Sequence, residues 1–156
     1  QRTQPPARRA HQRGHAGGDA DEEQELVPVD HGMLHGAARA IRWRRIAAEA
    51  ARQCGRSDVP EVAEPCALGS ALAAPPGFAR VALDADAGST LGEALSDGGS
   101  GALAVVGPEG GLSVDELRAC LAAGCRLASL GPRVLRAEPA AVVAAALIQH
   151  LRGDIA

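Results

Sequence analysis

Apolar and polar positions change their period several times along the chain, and each change marks an element. Phe78–Leu83 and Ala102–Val106 are short continuous apolar runs, the first with Arg80 inside it. Such runs predict buried strands. Arg126–Leu130 is a third run of this kind. Between the second and third, Ser113 and Glu116 have the S-x-x-E spacing of a capping box, in which hydroxyl and carboxylate each satisfy an orphaned backbone N–H. Leu117, Leu121 and Ala122 then keep an apolar stripe, and Gly124 stands where a helix C′ residue belongs. Upstream, Ala40–Cys54 sets Ile41, Ala47, Ala48, Ala50 and Ala51 against Arg42, Arg45, Glu49 and Arg52, which predicts a helix ended by Gly55. Glu138–Arg152 predicts the last helix, with Pro139 at N1, Gly153 at C′ and one wide apolar face of Val142, Val143, Ala146, Leu147, Ile148 and Leu151. Ala67–Ala74 and Thr90–Leu95 predict short helical segments, Val59–Val62 an extended piece and Leu26–Val29 a short strand. His31–Ala38, Asp84–Ser89 and Asp97–Gly101 fall into loops. Strands that alternate with helices predict an α/β fold with a mainly parallel sheet of three strands and a weaker fourth.

Two of the strands end in glycine turns. Ala102–Val106 runs into Gly107-Pro108-Glu109-Gly110-Gly111, and Arg126–Leu130 into Gly131-Pro132-Arg133. At the carboxyl ends of neighbouring parallel strands such turns form a crevice that holds small ligands. The turns fit no dinucleotide fingerprint, since G-x-G-x-x-G is absent, and no P-loop, since no Lys follows. No G-x-S-x-G nucleophile elbow occurs either. The residues alone predict a small ligand cradled by backbone groups, with a bare pair of tight turns as the alternative.

Composition narrows the class of function. A chain of 156 residues with 46% hydrophobic content suits one domain with a packed core. Residues 1–25 have no apolar period and turn acidic at Asp19, Asp21, Glu22, Glu23 and Glu25, which predicts a disordered tail before a single domain over residues 26–156. The net charge of −3 carries no nucleic-acid signature, but its distribution does. All sixteen basic residues are Arg, and Arg39, Arg42, Arg44, Arg45, Arg52 and Arg56 crowd into eighteen residues opposed only by Glu49. That cluster predicts a phosphate-contacting patch, with a solvated helix face as the bland alternative. Trp43 and Phe78 are the only aromatic residues, which argues against a base-stacking platform. Four cysteines form no C-x-x-C pair and no zinc spacing with histidine, so no metal is expected. Cys120 and Cys125 are placed as small core residues. No apolar run reaches the ~18 residues of a membrane span, and none near the start forms a signal segment, so a cytoplasmic setting is the expectation.

GPEGGLSVDEL at 107–117, followed by SLGPRVLRAEPA at 129–140, resembles the C-terminal signature of the RsmE family, the 16S ribosomal RNA uridine-N3 methyltransferases. Upstream, Arg42-Trp43-Arg44-Arg45-Ile46, then Glu49 to Arg56 and Val59-Pro60-Glu61-Val62, is similar to that family's RW-x-x-I, EA-x-x-Q-S-GR and PEV block. Three ordered motifs at compatible separations make the resemblance specific over about Arg42–Leu151. It implies the SPOUT class, a parallel sheet whose C-terminal segment, from about Val105 to Ile148, is threaded into a trefoil knot. S-adenosyl-L-methionine would lie bent in the knot against the backbone of Gly107, Pro108, Glu109, Gly110 and Gly111 and of Leu130, Gly131 and Leu135. The methyl acceptor would be N3 of a uridine in 16S ribosomal RNA of the small subunit. Arg136 or Arg133 would supply the cation that uracil needs as N3 loses its proton, with a salt bridge to Glu109 or Glu138 as the structural alternative. Gln53, Arg56 and Arg45 would shape the RNA-facing rim, and the enzyme would be a homodimer. Ala137 and Pro139 depart from the family's usual Thr positions, and Cys54 from its usual Ser. The family's N-terminal PUA-like barrel is not visible here, so the methyltransferase domain is expected to be partial at its N-terminal end. The alternative is a truncated, non-catalytic knotted remnant that binds S-adenosylmethionine or RNA without turnover.

Overall fold

The computed structural model describes residues 25–26, 36–73, 76–99 and 101–152. The expectations for residues 1–24, for most of the Leu26–Val29 strand and for Gly153 lie outside them.

Two short parallel sheets are formed. In the first, β1 (Glu25–Leu26) pairs with β2 (Glu61–Val62), Leu26 opposite Val62. The second holds β3 (Phe78–Leu83), β4 (Gly101–Val105) and β5 (Arg126–Ala128) in the order β4-β3-β5, all parallel. The expected α/β class is therefore present, but divided between two sheets. The two strands that lead into glycine turns, β4 and β5, are not neighbours. β3 runs between them, pairing Val81 with Ala104 on one side and with Arg126 on the other.

Side chains of a strand alternate between faces, and helices cover both faces of a parallel sheet. On one face Val81 and Ala128 pack with Leu91, Ala94 and Leu95, and Ala79, Leu83, Ala102, Ala104 and Ile148 complete the cluster. These come from the sheet, from α3 (Leu91–Ala94) and from α5 (Ala137–Arg152). On the other face Ala82 packs with Leu72, Cys120 and Cys125, joined by Leu68, Leu103, Val105, Leu112 and Leu127. Here α2 (Leu68–Ala71) and α4 (Val114–Ala122) form the cover. Arg80 belongs to this second face, which explains a charged residue inside an apolar strand. Its Nη1 donates to the carbonyl of Ala123 at 2.9 Å, just past the end of α4, where orphan carbonyls favour a cation.

The helix boundaries follow local chemistry. Ser113 caps α4 by accepting from the Glu116 N–H, and Glu116 reaches back to the Ser113 N–H at 2.7 Å, the predicted capping box. Gly124, at φ 83°, ends that helix in the left-handed conformation that glycine adopts without a Cβ penalty, and the Cys125 N–H donates to the Cys120 carbonyl at 2.9 Å. A second capping box, Thr90 with Glu93, starts α3. α1 (Gly36–Cys54) begins at Gly36 rather than Ala40, because Ala37 and Ala38 favour helix and nothing there stops one. The loop expected as far as Ala38 therefore ends sooner. α5 begins at Ala137, with the Ala140 N–H donating to the Arg136 carbonyl. Pro139 thus lies in the first turn at N3, two positions beyond the predicted N1, where its missing N–H costs no hydrogen bond.

Cys120 and Cys125 are buried, as their apolar surroundings in sequence suggested, while Cys54 is exposed. Burial pushes both thiols up, and the neighbouring Cys120 helps to raise Cys125 to about 11. Below that pH the reactive thiolate is suppressed. An aromatic disulfide reagent at neutral pH is expected to label Cys54 promptly and to leave Cys120 and Cys125 unmodified until denaturant unfolds the chain. Prompt labelling of all four would mean that the α4 core is open.

Candidate functional site

The arginine cluster and the glycine turns separate in space. On α1, Ala40 and Ala51 are buried and the arginines lie outside. Arg44 ties the helix to β2, its Nε donating to the Val62 carbonyl at 2.8 Å and its Nη2 pairing with Glu64 at 2.7 Å. Arg45 pairs with Glu49 one helical turn on, and Arg56 with Asp58. Glu49 is thus not the only opposing acid, since Glu64 and Asp58 neutralise two members of the cluster. Arg42 and Arg52 remain exposed and form no ion pair among the described residues. At about 3.6 residues per turn they share one helical face with Arg45 and Gln53.

The glycine turns meet at a cleft over the carboxyl ends of the second sheet. β4 runs into Val106 and Gly107, and the turn closes by a 2.8 Å bond from the Gly111 N–H to the Pro108 carbonyl before the Ser113 cap starts α4. Gly107 is tightly enclosed, for an added Cβ would stand 2.8 Å from the Leu112 nitrogen and 2.9 Å from the Gly111 carbonyl carbon. From β5 the chain passes Ser129, whose N–H donates to the Ser89 carbonyl at 2.8 Å, and reaches Leu130 and Gly131. The cleft is lined by Val106, Gly107, Pro108, Glu109 and Gly111 from one turn and by Leu130, Gly131, Arg133, Val134 and Leu135 from the other. Ala137 and Ala140 of α5, Ala128 of β5, and Leu83, Asp84 and Ala85 at the end of β3 complete it.

Eight of the sequence-predicted residues therefore converge: Gly107, Pro108, Glu109, Gly111, Leu130, Gly131, Arg133 and Leu135. Gly110 and Arg136 are not in the lining. A Cβ at Gly110 would meet open space, and Arg136 is exposed at the position just before α5. Gln53, Arg56 and Arg45 do not line the cleft either. Neither Arg133 nor Arg136 forms an ion pair among the described residues, so the alternative salt bridges to Glu109 or Glu138 are absent. Sequence reasoning missed Asp84, which it left in a loop. The usable signal was an acid directly after an apolar strand, at the end of the sheet where α/β proteins bind ligands. No group of three or more His, Cys, Asp or Glu residues that could hold a metal occurs among the described residues, and no helix there is long and apolar enough to cross a membrane.

What such a cleft takes is narrowed by comparison with known proteins. The family profile described as an RNA methyltransferase domain matches residues 30–149. The chain belongs to this RNA methyltransferase family. Among curated relatives, the ribosomal RNA small subunit methyltransferase E of Synechocystis is 37% identical over 115 residues, covering 70% of this chain and 38% of the relative. The Bacillus subtilis protein of the same name is 34% identical over 125 residues, covering 72% of this chain and 49% of the relative. The chain thus spans less than half the length of these two relatives. Among solved structures, the Neisseria gonorrhoeae ribosomal RNA small subunit methyltransferase E bound to S-adenosyl methionine superposes with a TM-score of 0.70 at 31% identity, covering 80% of this chain and 53% of that one. The matched segment of the family includes both glycine turns and all of the cleft.

Proposed function

We propose that the chain is the cofactor-binding part of an S-adenosylmethionine-dependent methyltransferase that acts on N3 of a uridine in 16S ribosomal RNA. The observation that carries this reading is the meeting of the two glycine turns over the end of β3, in a chain of the RNA methyltransferase family. The cleft suits the cofactor. Leu83, Val106, Ala128 and Leu130 offer apolar walls for a purine, and the backbone of the turns offers polar partners for its edge. Gly107 leaves no room for a side chain, which lets the turn fold tightly back on itself as a wall of the cleft. When bound, S-adenosylmethionine supplies an electrophilic methyl group. The chain must hold the uracil in line with it and stabilise the negative charge that develops when N3 gives up its proton. Arg133 is the cation of the cleft and takes that part. Arg42, Arg45, Arg52 and Gln53 on the outer face of α1 form the rim toward ribosomal RNA, where cations displace counterions from phosphate.

The same reading includes the SPOUT arrangement, in which the segment after β5 threads to form a trefoil knot, and a cytoplasmic homodimer. Val134, Val142, Leu147 and Leu151 are exposed apolar side chains of that C-terminal segment, and Val134 also lines the cleft. A second copy would cover apolar surface there next to the cofactor.

Thermal unfolding with and without cofactor tests the reading. A ligand that binds only the native state at 100 times its Kd adds about 2.7 kcal/mol, which for a domain of this size raises the Tm by on the order of 10 °C. Methyl transfer from labelled cofactor to 16S ribosomal RNA is the second measurement. Stabilisation without transfer would favour a non-catalytic binding domain, and no stabilisation would remove the cofactor assignment.

A further inference from the structure

One charged residue of the cleft, Asp84, neither walls the purine nor carries the transition-state charge. It follows β3, the central strand, and so stands between the turns that end β4 and β5. Its placement is fixed from both sides. Its backbone N–H donates to the Ala128 carbonyl on β5 at 3.0 Å, and its Oδ1 accepts from the Asp86 N–H at 3.0 Å in an Asx-type turn. The side chain is half-buried and faces no cation within salt-bridge distance among the described residues. Glu109, the other acid of the lining, is exposed and better screened by solvent. Among the described residues Arg133 is the sole basic residue of the lining, and Asp84, Glu109 and Arg133 together leave that lining one net negative charge. A half-buried carboxylate held by one backbone N–H but with no ion-pair partner among the described residues is a cost that a positively charged ligand relieves.

We propose that Asp84 is a specificity-determining residue of the cofactor site, favouring the charged donor over the spent product. The proposal rests on the methyltransferase reading. S-adenosylmethionine and S-adenosylhomocysteine share the adenosine, the ammonium and the carboxylate. They differ in the methyl group and in the charge on sulfur. On transfer the C–S bond breaks, its electron pair stays on sulfur, and the sulfonium becomes a neutral thioether. A carboxylate near that sulfur attracts the donor and has no such hold on the product. The cleft would thereby take up fresh donor in preference to the product it has just formed.

Asp84→Asn is the clean test, because asparagine keeps the Oδ1 acceptor for the Asp86 N–H and removes only the charge. Calorimetric titration of the 156-residue chain with S-adenosylmethionine and with S-adenosylhomocysteine gives the ratio of the two affinities. The variant is expected to lower the donor's affinity about tenfold and the product's less than about twofold, the scale of one unit charge near a surface. In the unaltered chain, raising the salt concentration is expected to weaken the donor more than the product, a readout that needs no variant. Asp84→Glu, which keeps the charge, is expected to restore part of the preference. Equal losses for both ligands in Asp84→Asn, or a ratio unmoved by both variant and salt, would overturn the proposal and leave the methyltransferase reading standing. If the unaltered chain binds neither ligand, that reading falls first and takes this one with it.

Discussion

Alanine at position 107 is expected to weaken S-adenosylmethionine binding about 10- to 100-fold, whereas alanine at position 110 leaves it close to that of the unaltered chain. The two glycines lie in one turn and look equivalent in sequence. Their surroundings differ. A Cβ on Gly107 would press on the Leu112 nitrogen at 2.8 Å, on the Gly111 carbonyl carbon at 2.9 Å and on Leu112 Cγ at 3.1 Å. The first two are backbone atoms of the same turn, so no rotamer change makes room and the turn itself must open. Such overpacking costs about 1–3 kcal/mol. Because the turn is a wall of the cleft, that strain falls on the ligand site, and each ~1.4 kcal/mol is a tenfold loss of affinity. A Cβ on Gly110 has nothing within 4 Å, and its φ lies outside the left-handed region. Cofactor titration with a parallel thermal melt separates the outcomes. Full affinity in Gly107→Ala would show that the turn does not wall the site.

Removing the side chain of Arg133 is expected to lower the turnover number for methyl transfer about 100-fold, the loss found when one transition-state charge partner is deleted. The guanidinium lines the cleft and has no ion pair among the described residues, so it is not committed to a carboxylate of the fold. Among the described residues it has no structural bond to lose, and the melting temperature of Arg133→Ala should stay near that of the parent. Arg136→Ala is the matched comparison, since Arg136 is exposed outside the lining and serves α5 through its backbone carbonyl. Its turnover is expected to fall by less than about tenfold if charge stabilisation depends on proximity. Single-turnover rates with 16S ribosomal RNA, set beside cofactor affinities, decide between them. A larger loss in Arg136→Ala would move the cation from position 133 to 136.

Several features were legible because their causes are local. The Ser113–Glu116 capping box needs only residues three apart, and Gly124 ends α4 through its own φ. The strands β3, β4 and β5 were visible as apolar runs, since both faces of the sheet are covered and neither needs polar alternation. The arginine pattern of α1 was readable too, yet its electrostatics were not. Glu64, which neutralises Arg44 from twenty residues away, reaches the helix only through the fold, whereas the Arg56–Asp58 pair just beyond the helix is local.

By itself the sequence determined the element types, the helix caps, the two glycine turns and, through three ordered motifs, the family. Only the tertiary structure decided the strand order. Backbone pairing between strands far apart in sequence depends on how helices pack over them, and no local pattern records which strand takes the centre. With β3 in that place, the turns after Val106 and Ala128 face each other across Asp84. The carboxylate that sequence reading left in a loop thereby enters the cleft, while Gly110 and Arg136, named in the same motifs as their neighbours, stand outside its wall.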